Sequence, residues 1–152
     1  MRLTLHSDLA FRVMLFLAAA GENGGTIPQI AAAYRISEDH LRKVAHELVR
    51  LGLIDSTRGR SGGLRLGPRA RELSIGAILR LTETDFALVE CLGNQPERCV
   101  IAGHCGLQRI FGEALKALFE VLDRYTLADV VSGSGKLRDL LEMDGPIPPA
   151  GE

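Results

Sequence analysis

The sequence predicts a mainly α-helical protein with a winged helix-turn-helix domain, a cysteine-bearing loop and a long dimerisation helix. Three observations predict this fold. Two short helical patterns are joined by a tight turn, a glycine-rich hairpin follows them directly, and a long amphipathic stretch comes after a loop that holds every cysteine. The 152 residues, of which 46% are hydrophobic, suffice for one domain with a sizeable core.

The first helix is predicted to run from about Ser7, a suitable N-cap, to Ala20. Its apolar run, residues 13–20, is followed by Gly21 and is therefore similar to the core of a secretory leader. The run is short and Arg12 lies directly before it, which favours a retained amphipathic helix. No stretch is long enough to span a bilayer, and scarce cysteine fits a reducing compartment. We therefore expect a cytoplasmic protein without a membrane partner.

The next elements form a predicted helix-turn-helix over residues 28–51. Thr26-Ile27 is read as a short strand that precedes the second helix. Ser37 is the expected cap of the third helix, residues 38–51, and Gly52 ends that helix in a left-handed conformation. A hairpin that follows directly, residues 53–66, is predicted to be the wing.

Positive charge is concentrated in this part of the chain. Residues 35–71 carry nine Lys and Arg against four acids, a net charge of +5, whereas residues 1–34 are neutral and residues 72–152 carry −6. Such a local field favours a polyanion, so we expect double-stranded operator DNA as the partner, although charge alone also fits ordinary solvated surface. The candidate DNA contacts lie on the third helix and its cap and at the wing tip: Ser37, His40, Arg42, Lys43, Arg58, Arg60, Ser61 and Gly62.

A long amphipathic helix is predicted from Leu107 to Tyr125, after a short helix over residues 75–81. It carries more apolar residues than one wall of a small domain requires, so we expect a partner helix and a homodimer: Ile110, Phe111, Leu115, Leu118, Phe119 and Leu122. The predicted organisation is therefore a DNA-binding domain, a cysteine loop, a dimerisation helix region and a flexible tail, over residues 1–81, 82–106, 107–130 and 131–152 respectively.

The three cysteines, Cys91, Cys99 and Cys105, lie within one 15-residue stretch that glycine and proline keep irregular. Three soft thiolate donors suit a metal ion or an iron–sulfur cluster, and an odd count leaves one thiol over from any internal disulfides. The spacings, seven and then five intervening residues, match neither zinc knuckles nor ferredoxin runs. Inert buried cysteines and a thiol redox switch therefore stay open. The residues alone do not choose a fourth donor among His104, Glu97, His6 and Asp8.

Two runs of sequence carry a resemblance to a known family. They are the opening, residues 1–10 (MRLTLHSDLA), and the wing region, residues 51–66 (LGLIDSTRGRSGGLRL). Together with the three-cysteine loop, they resemble the NsrR/IscR family of bacterial winged-helix repressors over about residues 1–130. The chain is most similar to the nitric-oxide-sensing branch. IscR-like members have a histidine three residues after the third cysteine, and here that position is Gln108.

The resemblance implies an iron–sulfur cluster held by Cys91, Cys99 and Cys105, with Asp8 of the other subunit as the fourth ligand. It favours a 4Fe–4S cluster over a 2Fe–2S cluster. It also implies a homodimer that pairs through the long helix. The cluster-bound dimer is expected to repress at operator DNA and to release it when nitric oxide attacks the cluster or the cluster is lost.

Two other functions compete with this interpretation. One is a regulator that senses iron–sulfur supply or redox status, and the other is an adaptor in which zinc only stiffens the dimer. An enzyme is the least expected class, because the sequence shows no nucleophile–base arrangement and no phosphate-binding loop.

Overall fold

The computed structural model describes residues 2–57, 63–132 and 135–141, and it confirms the predicted fold class. The chain is mostly helical, with a two-stranded antiparallel sheet after the third helix. The elements in chain order are α1 (Leu5–Ala20), α2 (Ile27–Tyr34), α3 (Glu38–Arg50), β1 (Ile54–Ser56), β2 (Leu64–Leu66), α4 (Ile75–Thr82), α5 (Gly106–Leu122), α6 (Leu127–Val131) and α7 (Gly135–Leu140).

Helix α1 lies at the centre of the core. It is apolar on nearly every side, because α2, α3, α4, α6 and α7 all contact it. Val13, Met14 and Leu17 are fully buried there. Burial of each such side chain contributes about 1.5–3 kcal/mol, so α1 is the element around which the domain is assembled. Within the described residues, no helix combines the length and apolar character that crossing a membrane requires.

The start of α1 differs from the prediction by almost one turn. The N-cap is Thr4 rather than Ser7, and the Thr4 hydroxyl accepts a hydrogen bond from the Ser7 N–H at 3.2 Å. Ser7 is fully buried, and its hydroxyl donates to the carbonyl of Thr82 at 2.9 Å. The prediction was wrong because the Ser7 hydroxyl is used by a tertiary contact between α1 and α4.

Helices α2 and α3 form the predicted helix-turn-helix. Thr26 is not in a strand; it caps α2 through a reciprocal capping box with Gln29. Ser37 occupies the N-cap of α3, as predicted, although its hydroxyl makes no capping hydrogen bond. The buried stripe of α3, which packs against α1, consists of Leu41, Val44, Ala45 and Leu48.

The wing is attached to α1 through its base. Strands β1 and β2 pair with Ile54 opposite Leu66. Gly25 adds one antiparallel bridge, in which its N–H donates to Leu64 at 2.9 Å and the Leu64 N–H donates back at 2.7 Å. A Cβ atom at Gly25 would lie 2.5 Å from Phe16 Cε1, so only glycine fits between the wing and α1.

Helix α5 is anchored to α4 near its C-terminal end. The Arg80 guanidinium donates to the two carboxylate oxygens of Asp123 at 2.7 and 2.8 Å, and it lies 4.0 Å from the centre of the Phe119 ring. The hydrogen bond from Arg80 lowers the pKa of Asp123 below its ordinary value. Beyond α5 the chain returns to the core, where Leu127 of α6 is fully buried.

Residues 135–141 form a short helix and a turn, which differs from the flexible tail predicted for residues 131–152. Residues 133–134 and 142–152 of that predicted tail lie outside the described residues. Helix α7 packs on α1, and Leu141 is buried. The buried guanidinium of Arg138 donates to the carbonyl of Ala19 in the last turn of α1. Carbonyls at a helix C-terminus need donors from elsewhere, and a cation satisfies them well. The difference arises because a glycine- and serine-rich run precedes this segment and indicates a flexible chain, whereas the packing of α7 on α1 depends on residues far away in the sequence.

Candidate DNA-binding face and cysteine site

The candidate DNA contacts on α3 lie on its solvent-exposed side. Ser37, His40, Arg42 and Lys43 are all exposed, whereas the opposite side of the helix packs into the core. The structure therefore brings these four residues to one accessible surface at the N-terminal half of the second helix of the helix-turn-helix. In that motif the corresponding part of the helix enters the major groove of DNA.

The charges on this face are unequal. The Arg42 guanidinium pairs with Glu38 at 2.5 Å, so much of its charge is balanced within the helix. Lys43 forms no ion pair within the described part of the chain. Lys43 is therefore the better-placed free cation for a phosphate, and Arg42 must exchange Glu38 for DNA before it can act.

Two further arginines of the helix-turn-helix and wing are exposed and are not among the predicted DNA contacts. Arg35 lies in the turn between α2 and α3, in a left-handed conformation with φ 54°. Arg65 is exposed on β2, between the buried Leu64 and the half-buried Leu66. The alternation of these three residues is the signal that points Arg65 away from the core.

The wing tip falls outside the described residues. The predicted contacts Arg58, Arg60, Ser61 and Gly62 belong to it, and their assignment stays a prediction. The base of the wing loop is described, and there the Thr57 N–H donates to the carbonyl of Gly63 at 3.0 Å.

The cysteine segment consists of short turns that lead into α5. Cys91 lies in a 3-10 turn (Glu90–Leu92), Cys99 follows a second one (Pro96–Arg98), and Cys105 is the N-cap residue of α5. All three thiols are free and half-buried. The thiol of Cys105 therefore lies at the N-terminus of a helix, the end that carries partial positive charge.

Gln108, in the first turn of α5, joins two distant points of this segment. Its amide Nε2 donates to the carbonyl of Cys91 at 3.1 Å, and its Oε1 accepts from the N–H of Gly103 at 2.8 Å. Both polar ends of the side chain are therefore used inside the loop.

The donor chemistry fits an iron–sulfur cluster, because soft, free and partly accessible thiols are the ligands that such clusters take. Within the described residues of one chain, however, no group of three or more His, Cys, Asp or Glu side chains could hold a metal ion. Cys91, Cys99, Cys105 and Asp8 are thus not brought together in a single subunit. The residues have the right chemistry, and one subunit alone does not assemble the ligand set.

Asp8 lies in the first turn of α1. Its carboxylate pairs with Arg12 at 2.7 Å and is 46% exposed. The Arg12 guanidinium lies 6.0 Å from the centre of the Tyr34 ring, so this face of α1 is turned towards α2. Burial raises the pKa of Tyr34, and Arg12 opposes the shift. Asp8 is therefore accessible to a second molecule.

The first turn of α1 contacts both the DNA-binding helix and the segment that leads to the cysteines. The His6 Nε2 atom lies 3.3 Å from Glu47 Oε2 on α3; the atom is buried and makes no aligned hydrogen bond within the described residues. The N–H and hydroxyl of Thr4 both donate to Glu83 at 3.1 Å, just beyond α4. Burial raises the pKa of Glu83, but hydrogen bonds that include these two outweigh it and hold the pKa below its ordinary value.

Helix α5 presents an exposed apolar stripe, which we call the α5 seam. None of its 17 residues, all of which the structure describes, is buried. One set of apolar residues is half-buried against the same chain: Phe111, Leu115, Leu118, Phe119 and Leu122. The seam is a second set, exposed and spaced alternately by three and four residues: Leu107, Ile110, Ala114, Ala117 and Val121. That spacing is the one by which helices pair in coiled coils.

Comparison with known proteins identifies the family. The model of the Rrf2 family, described as an iron-dependent transcriptional regulator, matches residues 3–133. The HTH-type transcriptional regulator NsrR of Geobacillus kaustophilus is 47% identical over 143 residues, which cover 93% of this chain and 97% of that protein. The HTH-type transcriptional regulator NsrR of Bacillus subtilis is 45% identical over 145 residues, which cover 94% of this chain and 99% of that protein.

Solved structures agree. A Listeria innocua protein proposed to be a transcriptional regulator has a TM-score of 0.71 at 26% identity, over 88% of each chain. IscR of T. potens has a TM-score of 0.70 at 24% identity, over 91% of each chain, and this likeness supports the fold. With a helix-turn-helix, a wing and the family match over residues 3–133, the chain belongs to the Rrf2 family of iron-dependent transcriptional regulators.

Proposed function

We propose that this DNA-binding transcriptional repressor responds to nitric oxide through an iron–sulfur cluster. The ligands would be Cys91, Cys99 and Cys105 of one subunit and Asp8 of the partner subunit. The dimer holds operator DNA while this ligand set is complete and releases it when the set is broken.

One observation carries the proposal. Three free, half-buried thiols lie on one short segment at the N-terminus of α5, in a chain whose preceding part is a DNA-binding domain. Structural cysteines are usually buried and inert, whereas reactive or ligating cysteines are partly exposed and lie near positive potential. The half-burial of all three thiols beside a helix N-terminus supports the second role.

The α5 seam supports a dimer, and a dimer offers the missing ligand. Leu107, Ile110 and Val121 are 60%, 51% and 48% exposed, which is costly for a helix that stays unpaired in water. The two alanines of the seam allow close approach of a second helix. The carboxylate of Asp8 is exposed, and within the described residues it forms no metal-binding group with the cysteines of its own subunit. In a dimer it is then available to the cysteine segment of the partner subunit.

When bound, the cluster supplies iron that reacts with nitric oxide, and the carboxylate is expected to be its weakest ligand because a hard oxygen donor joins soft sulfur donors. The residues of the chain then transmit the change. Asp8 lies in the first turn of α1, so its loss from the ligand set would remove one restraint on that turn, whose His6 contacts Glu47 of α3. The two α3 helices of the dimer must match half-sites about 34 Å apart, so a small shift lowers affinity. Coupling of this kind is typically about 1–3 kcal/mol.

The decisive experiment is anaerobic purification followed by iron and sulfide analysis and a titration with nitric oxide. DNA binding is followed on a fragment selected in vitro by the purified protein. We expect brown protein, a 4Fe–4S stoichiometry, and release of DNA by nitric oxide. Release by peroxide through reversible oxidation instead would favour a sensor of redox status. Colourless, zinc-bound protein would contradict both functions.

The role of Asp8 is tested with Asp8→Ala against Glu22→Ala, which removes an exposed carboxylate at the other end of α1. We expect the Asp8 variant to lose or alter the visible spectrum of the cluster and the Glu22 variant to keep it. An unaltered spectrum in both variants would contradict the ligand role, and Asp8 would then only stabilise the N-terminus of α1 through its negative charge.

The DNA face is tested with Lys43→Ala and with Arg58→Ala or Arg60→Ala, against Arg124→Ala, an exposed arginine just beyond α5. Loss of one phosphate contact weakens binding to all sequences and lowers the salt slope by about one unit. Affinity should therefore be measured at several salt concentrations. Identical slopes for the Lys43 and Arg124 variants would remove Lys43 from the DNA contacts, and identical slopes for the wing variants would remove the wing.

A further inference from the structure

We propose that Gln108 is a positioning residue that clamps the cysteine loop in the arrangement that receives the cluster. Its amide links the backbone at Cys91 to the backbone at Gly103, two residues before Cys105. The first and third cysteines are thereby held in a defined relation to the N-terminus of α5. This inference rests on the cluster site of the proposed function.

The two hydrogen bonds of Gln108 depart from the usual role of such a residue. With Cys105 as N-cap, Gln108 is the third residue of α5, where glutamine ordinarily reaches back to the N–H of the cap residue. Here its Oε1 accepts from Gly103 at 2.8 Å instead, and its Nε2 donates to Cys91, 17 residues away. The side chain therefore serves the loop rather than its own helix.

Only an amide of this length satisfies both partners. The carbonyl of Cys91 needs a donor and the N–H of Gly103 needs an acceptor, and a side-chain amide offers one of each. An ionised glutamate can accept from Gly103 but cannot donate to Cys91. Gly103 has φ +82°, a conformation that favours glycine and directs its N–H towards Gln108. A Cβ atom there would meet nothing within 4 Å, so space does not require glycine, and the backbone conformation does.

The clamp also has a consequence for the fourth ligand. Both polar atoms of Gln108 are engaged by the loop backbone, which orients the amide towards Cys91 and Gly103. Gln108 thus serves the backbone of the loop, which agrees with a fourth ligand from another segment, proposed above to be Asp8 of the partner subunit.

The first test uses the cluster-free protein and reads the Gly103 amide by hydrogen exchange in NMR spectra. The variants are Gln108→Met, which removes both hydrogen bonds at similar size, and Gln108→Glu, which keeps only the acceptor. The control is Gln95→Met, whose exposed side chain in the same loop makes no hydrogen bond within the described residues. We expect exchange at Gly103 to accelerate about tenfold in Gln108→Met and to change little in Gln108→Glu and Gln95→Met.

The second test follows the loss of visible absorbance when an iron chelator is added to anaerobically purified protein. Cluster loss should be about tenfold faster in both Gln108 variants than in the wild type or Gln95→Met. Unchanged Gly103 exchange in Gln108→Met would overturn the clamp, and unchanged cluster loss would overturn its positioning role. Protein that contains no iron would overturn the proposed function, while the exchange experiment would still decide whether the clamp exists.

Discussion

The winged domain and α5 use their apolar residues in opposite ways. In the winged domain Leu17, Leu41 and Leu48 are completely buried, within a core that α1 organises. In α5 no residue is buried, and Ile110 is 51% exposed. The winged domain buries its apolar side chains within one chain. Helix α5 does so only in part, through contacts such as that between Phe86 and Phe119, whose ring centres are 4.9 Å apart. A winged domain that buries its core within one chain is thus joined to a helix whose apolar surface is left partly exposed.

The largest expected effect is on the core of the winged domain. Leu48→Ala should lower the free energy of unfolding by about 2–5 kcal/mol, because it removes buried methyl groups and leaves a cavity. The measurement is urea denaturation followed by circular dichroism. Val100→Ala is the control, since Val100 is 99% exposed and should change stability by less than about 0.5 kcal/mol. Equal losses of unfolding free energy in the two variants would contradict the contrast between the buried core of the winged domain and the exposed residues outside it.

A charge in the α5 seam should separate the subunits. Ile110→Glu places a carboxylate where two helices are proposed to pair, and loss of a central apolar contact typically costs about 2 kcal/mol or more, roughly a thirtyfold weaker dimer. Sedimentation equilibrium measures the dissociation constant. Lys116→Gln, on the polar side of α5, is the matched control and should leave the constant unchanged. A monomeric wild type, or an Ile110 variant that dimerises normally, would remove the seam from the interface.

Two glycine substitutions sharpen the contrast in packing. Gly25→Ala should destabilise the protein by about 1–3 kcal/mol, because its Cβ atom would lie 2.5 Å from Phe16. Gly112→Ala in α5 should stabilise it by about 0.5–1 kcal/mol, since a Cβ atom there meets nothing within 4 Å and alanine favours the helix. Thermal unfolding of both variants tests the opposite signs, and a shared sign would contradict the packing described for one of the two sites.

The smallest expected effect concerns the link between the two regions. The hydrogen bond from Arg80 lowers the pKa of Asp123. A carboxyl group with a depressed pKa contributes stability above its unfolded pKa of about 3.9, and this contribution is lost as the pH falls through the lower folded value. Asp123→Asn should therefore reduce the free energy of unfolding at pH 7 and leave it nearly unchanged at a pH below the folded pKa of Asp123. The measurement is the free energy of unfolding of both proteins as a function of pH. Because the pair is exposed, the difference should be small. If the free energy of unfolding of the two proteins changed with pH in the same way, the ion pair would contribute nothing to stability.

Much of the fold could be predicted from local sequence signals. The extent of α3, the Ser37 N-cap position and the left-handed Gly52 were predicted correctly, because each depends on residues within one turn. The Ser7 cap was wrong and residues 135–141 differ from the predicted flexible tail, because Ser7 and Arg138 contact residues far away in the chain. Within the site, the exposure of the α3 residues was predictable from periodicity. The contacts of Gln108 were not, because they join segments of irregular backbone.

By itself, the sequence determined the helix-turn-helix, the attachment of a wing to it, and a segment rich in thiol donors, since periodicity, caps and residue chemistry are properties of neighbouring residues. Only the tertiary structure decided which apolar face of α5 the chain covers and which it leaves as the seam. It also decided that the first turn of α1 contacts both α3 and the end of α4, and that Gln108 joins Cys91 to Gly103. Long-range contacts depend on how whole elements pack, and no local pattern specifies that packing.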